Sequence, residues 1–193
     1  VVSIILIVVY RSPFLWILPL ISAITALSLA GTVVYYLAKA NVIDLNGQSQ
    51  GILSVLVLGA ATDYALLLIS RYREELHHHD SRFESMKIAL RGVVEPIVAS
   101  GSTVIAGLLV LLLSDLSSNR GLGPVGAIGI AASMITVLTF LPALLVVFGR
   151  WIFWPKVPRF DDVNEQLTGV WSKIGSSVER HPKRTWISAA VLL

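Results

Sequence analysis

The sequence has no cysteine and little charge, and both deficits restrict the classes of protein that it can encode. Without cysteine, the chain forms neither a disulfide framework nor a thiolate metal site. Only 14% of its 193 residues are charged while 55% are hydrophobic, which is too little charge to cover the surface of a soluble domain. Alternating segments of about ten residues, typical of outer-membrane barrels, are also missing. The composition therefore favours a helical membrane protein.

The excess of basic residues first raises the question of a nucleic-acid partner, because the formal net charge is +3. These residues lie beside apolar segments, however, so membrane topology explains them better and we expect no nucleic-acid binding. Thirteen of the fifteen basic residues flank one side of the apolar segments, and only Lys39 and Arg120 flank the other. The positive-inside rule makes the first side cytoplasmic. We expect a multi-pass protein of the inner (plasma) membrane.

Four apolar segments have the length of about 20 residues that a helix needs to cross a hydrocarbon core. They lie at residues 14–38, 51–70, 93–114 and 122–149. Lipid cannot satisfy exposed backbone groups, so these segments must be helices. The fold class is therefore predicted as all-α, a polytopic transmembrane helical bundle.

Shorter apolar runs at both ends predict two further spans that are truncated, so we expect the chain to be part of a longer protein. Residues 1–152 are predicted to form a partial transmembrane bundle, and residues 153–184 a linker at the cytoplasmic face or the membrane interface. Residues 185–193 are predicted to begin a further transmembrane helix. Between the second and third spans, residues 71–91 mix charged and apolar side chains and predict a short amphipathic cytoplasmic helix.

Asp63 differs in position from the other acidic residues of the chain. Eleven of the twelve acidic residues lie in loops or near predicted span ends, whereas Asp63 lies eight residues before Arg71, or about 12 Å along a helix. An Asp near the bilayer centre costs roughly 2.5 to 3.5 kcal/mol, so such residues usually face the bundle interior or a wet cavity. Burial disfavours the charged carboxylate, and an Asp held there can load a proton on one side and release it on the other. The alternative is a structural Asp that is protonated and bonded to a neighbouring helix.

Tyr64 follows Asp63 directly, and its hydroxyl can both donate and accept a hydrogen bond. It is a candidate to assist proton transfer at Asp63. The alternative is an aromatic residue that only packs.

Small and hydroxyl-bearing residues accompany Asp63 in the predicted bundle. Gly59 and Ala60 precede it on its own helix face and permit close approach of another helix. The third span carries a stripe at Ser100, Thr103 and Gly107. The two hydroxyls either bond to Asp63 or bond their own backbone carbonyls, and both interpretations stay open. The fourth span has a seam that favours helix packing over chemistry, at Gly126, Gly129 and Ser133.

Enzyme chemistry has little support in the sequence. His77, His78 and His79 are consecutive, so they cannot all face one metal ion on a helix, and a solvated run is the better interpretation. Phosphate-binding loops, nucleophile elbows and zinc-ligand spacings are not found. An intramembrane aspartyl protease needs two facing carboxylates, and the four spans contain a single Asp. We therefore expect neither enzyme activity, nor a metal, nor a cofactor.

One long motif carries a family resemblance: residues 59–76 read GAATDYALLLISRYREEL. This segment closely resembles the MMPL family of the RND superfamily, large membrane proteins of mycobacteria and other actinobacteria. The family pattern is a Gly-rich helical turn, Asp-Tyr in mid-membrane and Ser-Arg-Tyr/Phe-Arg-Glu-Glu at the cytoplasmic edge. Two shorter matches are YRSP at residues 10–13 and TFLPA at residues 139–143, so the likeness covers nearly the whole chain.

The resemblance implies a fold, a function and a set of partners. It implies twelve helices in two pseudo-symmetric halves that export lipids or other hydrophobic molecules, driven by proton influx. Asp63 would carry the proton and Tyr64 would position it, facing an equivalent pair from the other half. Implied partners are protons, membrane lipids, hydrophobic cargo, the remaining helical half and the porter domains. Ala61 and Thr62 stand where many members have other small or hydrophobic residues. A non-transporting sensor or scaffold of the same superfamily is the alternative.

Overall fold

The computed structural model describes residues 15–43, 47–154, 178–180, 182 and 185–186. Four long helices are present among them: α1 (Ile17–Lys39), α2 (Gly47–His78), α3 (Arg82–Val110) and α4 (Ser117–Phe148). Short 3-10 turns continue α3 through Leu111–Leu113 and α4 through Gly149–Phe153. All four helices are long and apolar enough to cross a membrane, and no strand occurs in the described ranges. The predicted all-α transmembrane fold is confirmed.

The chain divides into two compact units, Val1–Phe160 and Asp161–Leu193. The four helices belong to the first unit, and the described residues of the second unit are helical. The predicted run at residues 1–10 and most of the predicted linker and final span lie outside the described residues. The proposed boundaries near residues 152 and 184 therefore stay predictions.

Helices α2 and α4 form the centre of the bundle. α4 packs against each of the other three helices, and α2 packs against both α1 and α3. α1 and α3 therefore lie on opposite sides of the central pair.

The seam between α2 and α4 depends on small residues of α4. A Cβ atom added to Gly129 would lie 2.6 Å from Leu53 Cδ1 and 2.8 Å from Val57 Cγ2. Ser133 is buried one turn further along, and its hydroxyl donates to the Gly129 carbonyl at 2.9 Å. The two central helices approach closely because these positions carry almost no side chain.

The turn between α2 and α3 corrects one expectation. Residues 71–78 and 82–91 are helical, but they do not form a separate amphipathic helix, because α2 continues to His78 and α3 begins at Arg82. Arg71 stabilises the extension of α2 by ion pairs one turn away, at 2.6 Å to Glu74 and 2.7 Å to Glu75. The Ser81 side chain caps α3, accepting a hydrogen bond from the Glu84 amide at 3.5 Å.

One end of the bundle collects the basic residues, and we call it the basic end. It comprises the end of α2, the start of α3 and the end of α4, with Arg71, Arg73, Arg82, Lys87, Arg91 and Arg150. Arg150 joins these parts because its Nη2 donates to the carbonyl of His79 at 2.8 Å and to that of Asp80 at 3.0 Å. The α2–α3 turn and the end of α4, both predicted to be cytoplasmic, thus lie together at one end.

Candidate functional site

Helix α2 has a packed face and an open face. The packed face is fully or nearly fully buried among the helices of this chain and carries Leu53, Val57, Ala61, Ala65, Leu68 and Tyr72. The open face is exposed and carries Val55, Gly59, Asp63, Leu67 and Ser70. Residues at this spacing form one stripe along a helix. Asp63 therefore points away from the contacts that hold α2 in its own bundle.

Asp63 stands near the midpoint of α2, which runs for 32 residues from Gly47 to His78. It is the only charged residue between Gly47 and Ser70. Its carboxyl group is exposed in the bundle of described residues, and none of them donates a hydrogen bond to it. The described helices therefore place this acid at mid-span without covering it.

A groove of about 350 Å³ lies beside Asp63. Its lining comes from α2, α3 and α4: Val55, Leu56, Gly59, Ala60, Asp63, Tyr64, Ser100, Val104 and Ile130. Tyr64 is only 9% exposed and belongs to the hydrophobic core, so its ring is held by packing at the edge of the groove. Asp63, Tyr64 and Ser100 are the polar residues of the lining. The groove brings together a carboxyl group and two hydroxyl groups in an apolar setting.

The stripe predicted on α3 is only partly directed at this groove. Ser100 lines it, whereas Thr103 does not, and the Thr103 hydroxyl donates to the Ala99 carbonyl at 2.9 Å. This is the local backbone bond that Ser and Thr often form in membrane helices. At Gly107, an added Cβ would meet no described atom within 4 Å. Of the three residues, the structure places Ser100 alone beside Asp63.

The glycines predicted for helix packing differ in their surroundings. Gly129 is in tight contact with α2, and a Cβ on Gly126 would lie 3.1 Å from Leu108 Cδ1. At Gly59, an added Cβ would meet nothing within 4 Å among the described atoms. Ala60 is partly buried and packs against the core.

The sequence did not lead us to predict two further close glycine contacts. A Cβ on Gly123 would lie 2.6 Å from the Leu108 carbonyl oxygen, and one on Gly101 would clash with the Met134 side chain. Gly123 continues the three-residue spacing of Gly126 and Gly129, and this spacing was the signal available in the sequence. Gly101 has no glycine three or four residues away and gave no such signal.

The open stripe of α2 leads from Asp63 towards the basic end. A second cavity of about 350 Å³ lies there, lined by Leu67, Ser70, Arg71, Glu74, Gly92 and Val93. Leu67 is one turn beyond Asp63 on the same face and separates the Asp63 groove from this cavity. The described residues contain no group of three or more His, Asp or Glu that could hold a metal ion.

These features define a class: a multi-pass helical membrane protein with one mid-span carboxyl group on an open helix face. The sequence profile of the MMPL family matches residues 1–185, and the chain belongs to this family. The resemblance found in the sequence is thereby confirmed.

Several relatives match along most of the chain. It is 50% identical to the membrane protein ActII-3 of Streptomyces coelicolor, over 98% of this chain and 27% of that protein. It is 37% identical to the apo-petrobactin exporter of Bacillus anthracis, over 86% of this chain and 22% of the exporter. It is 31% identical to the sulfolipid-1 exporter MmpL8 of Mycobacterium tuberculosis, over 98% of this chain and 17% of the exporter. The chain thus spans about a quarter or less of the relatives it matches.

Proposed function

We propose that this chain is part of the proton-carrying helical bundle of an exporter that moves lipids or other hydrophobic molecules across the plasma membrane. Two of its relatives are named as exporters, one of apo-petrobactin and one of sulfolipid-1. The two names give different cargos. The segment that both exporters share with this chain is therefore better explained by a common driving mechanism than by recognition of one cargo. The observation that carries the proposal is the position of Asp63.

The position of Asp63 is costly unless protein or water covers it. A charged Asp at mid-span costs roughly 2.5 to 3.5 kcal/mol on insertion scales, and the described helices leave Asp63 exposed. Gly59, one turn before it, leaves space beside the same face. We infer that the remaining helical half of the protein packs along this open face and encloses the carboxyl group.

Enclosure would give Asp63 two states with different proton affinity. Apolar surroundings disfavour a charged carboxylate, whereas water stabilises it. Movement of the other half along the open face would switch between the two states. One proton crossing a potential of 100 mV supplies about 2.3 kcal/mol for this movement.

Tyr64 and Ser100 have supporting roles in this proposal. The Tyr64 ring is fixed in the core, and Tyr64 lines the same groove as Asp63, so its hydroxyl is held in a restricted position. A fixed hydroxyl can accept and donate a proton without a large loss of side-chain entropy. Ser100 would contribute a second hydroxyl from α3, with Thr103 engaged by its own helix.

The test measures proton influx by the full-length protein in liposomes that contain a pH-sensitive dye. An imposed inside-negative potential should acidify vesicles with wild-type protein, and Asp63→Asn should reduce this influx to the level of empty vesicles. Asp115→Asn is the matched control because Asp115 is an exposed loop acid outside the helices. We expect this variant to retain wild-type influx. Wild-type influx no greater than that of empty vesicles would fit a sensor or scaffold, and normal influx by Asp63→Asn, with correct insertion, would show that proton entry does not need Asp63; either result would reject the proposal.

A further inference from the structure

An open surface cavity at the basic end is separate from the Asp63 groove. Its volume is about 600 Å³, and it is lined by residues 80–83 of the α2–α3 turn and residues 148–151 at the end of α4. Residues 82–83 begin the candidate membrane span of α3, and residues 148–151 lie at the end of the candidate span of α4. The cavity therefore lies where a membrane helix leaves the hydrocarbon, the level of the lipid headgroups.

Two arginines dominate the charge of this cavity. Arg82 is exposed, and its guanidinium carbon lies 5.7 Å from the centre of the Phe83 ring. Arg150 is 25% exposed, and its Nη2 is bonded to the carbonyls of His79 and Asp80. The lining contains one acid, Asp80, whose carboxylate is 3.5 Å from Arg150 and whose side chain is 86% exposed. Two cations and one highly hydrated anion leave the lining with a positive charge.

Gly149 shapes the cavity wall. Its backbone has φ +61° and ψ −146°, a conformation that residues with a side chain rarely adopt. This reversal ends α4 and directs Arg150 and Trp151 back towards the start of α3. A Cβ on Gly149 would lie 3.3 Å from Arg82 Nη1, so the same glycine leaves room for the guanidinium group.

The rim of the cavity is apolar and exposed. Trp151 is 59% exposed, Phe83 is 66% exposed, and Phe148 is also exposed at the last turn of α4. Val147 continues this apolar surface into the membrane-spanning part of the helix. Aromatic side chains next to arginines are typical of the membrane interface, where one ligand presents both a charged and an apolar part.

We propose that this cavity binds an anionic phospholipid of the leaflet at the basic end. Its phosphate would lie between Arg82 and Arg150, because guanidinium groups bind phosphate oxygens in a bidentate manner. The amides at the start of α3 add partial positive charge at the same place. The acyl chains would follow Phe148 and Val147 along α4. We choose an anionic lipid as the ligand because its charge is complementary to that of the cavity. The cavity lies at the basic end of the bundle, and anionic lipids attract basic segments next to membrane helices.

The site has a structural consequence for the bundle. Arg150 joins α4 to the α2–α3 turn, and a bound phosphate would add a second link between the same two segments through Arg82. The lipid would thereby hold the end of α2, the helix that carries Asp63. This inference does not depend on proton transport and can be tested without it.

The experiment measures lipid retention by the full-length protein with native mass spectrometry. The protein is equilibrated in detergent with equal amounts of phosphatidylglycerol and phosphatidylcholine, and the retained lipid molecules are counted. We expect wild-type protein to retain phosphatidylglycerol in preference to phosphatidylcholine, and Arg82→Gln to weaken this retention roughly tenfold. Lys87→Gln is the matched control, because it removes an exposed cation from the same helix outside the cavity lining.

Two additional measurements test the roles of the guanidinium group and of the acyl chains. Arg150→Lys retains the charge but loses the planar guanidinium group and its paired N–H donors, so we expect weaker lipid retention in a folded protein. Glycerol phosphate in millimolar excess should not displace the lipid, because the acyl chains contribute to binding. Equal retention in wild-type protein and Arg82→Gln, an equal loss in Lys87→Gln, or displacement by glycerol phosphate would each overturn the proposal.

Discussion

The two faces of α2 use small residues in different ways. On the packed face, Gly129 of α4 lets Leu53 and Val57 approach so closely that a single added carbon would clash. On the open face, Gly59 is equally small, yet none of the described residues uses the space beside it. The contrast separates small residues that hold this bundle together from small residues that leave room for another part of the protein. Asp63 belongs to the second group.

The largest effect on stability is expected from Gly129→Ala at the packed face. Gly59→Ala at the open face is the matched comparison. At Gly129 the added methyl group meets the stiff, β-branched Val57, so we expect a loss of about 1 to 3 kcal/mol of stability. At Gly59 the methyl group meets open space in this chain, and the better helix propensity of Ala should keep stability within about 1 kcal/mol. The measurement is the thermal unfolding midpoint of each full-length variant in detergent. A larger loss for Gly59→Ala would contradict the assignment of the two faces.

A smaller effect is expected from Tyr64→Phe on the open face. The ring still fills its place in the core, but the hydroxyl next to Asp63 is lost. Removing one hydrogen-bonding group is worth about 0.5 to 1.5 kcal/mol, so proton influx should fall by up to about tenfold. Unchanged unfolding in the same protein would show that packing is preserved. If influx stays at the wild-type rate, Tyr64 has only a packing role.

The smallest effects separate the two hydroxyls of α3. Ser100→Ala removes a group from the Asp63 groove, and interhelical hydrogen bonds in membranes average about 0.6 kcal/mol, so influx should fall about threefold or less. Thr103→Ala removes a hydroxyl bonded to its own helix and should leave influx unchanged. Rates in the dye-loaded vesicles distinguish the two. An effect of Thr103→Ala larger than that of Ser100→Ala would mean that the α3 stripe faces Asp63 differently.

The sequence predicted the helices well because apolar length is a direct consequence of bilayer thickness. The predicted second span, residues 51–70, lies wholly inside α2, and Asp63 lies near its middle. Hydropathy does not report a helix that continues into water, so the extension of α2 to His78 was missed. That extension is stabilised by the ion pairs of Arg71, which require knowledge of side-chain contacts.

The sequence did not predict which way Asp63 faces, and the reason is different. A span that is apolar on all sides has no amphipathic stripe, so the sequence does not show which face of α2 packs within the chain. Asp63 and Gly59 were correctly expected to share a face, but nothing indicated that this face would be open. The cavity between Arg82 and Arg150 was equally hidden, since the two residues are far apart in the chain and meet through the positive φ of Gly149.

The central claim is that Asp63 holds a proton within the membrane, and its reaction with dicyclohexylcarbodiimide tests this most directly. The apolar reagent modifies carboxyl groups that are protonated in an apolar environment. Peptide mass spectrometry of the full-length protein should find the adduct at Asp63 and should find none at the exposed Asp115. Absence of the adduct at Asp63, or equal modification of Asp63 and Asp115, would contradict the account.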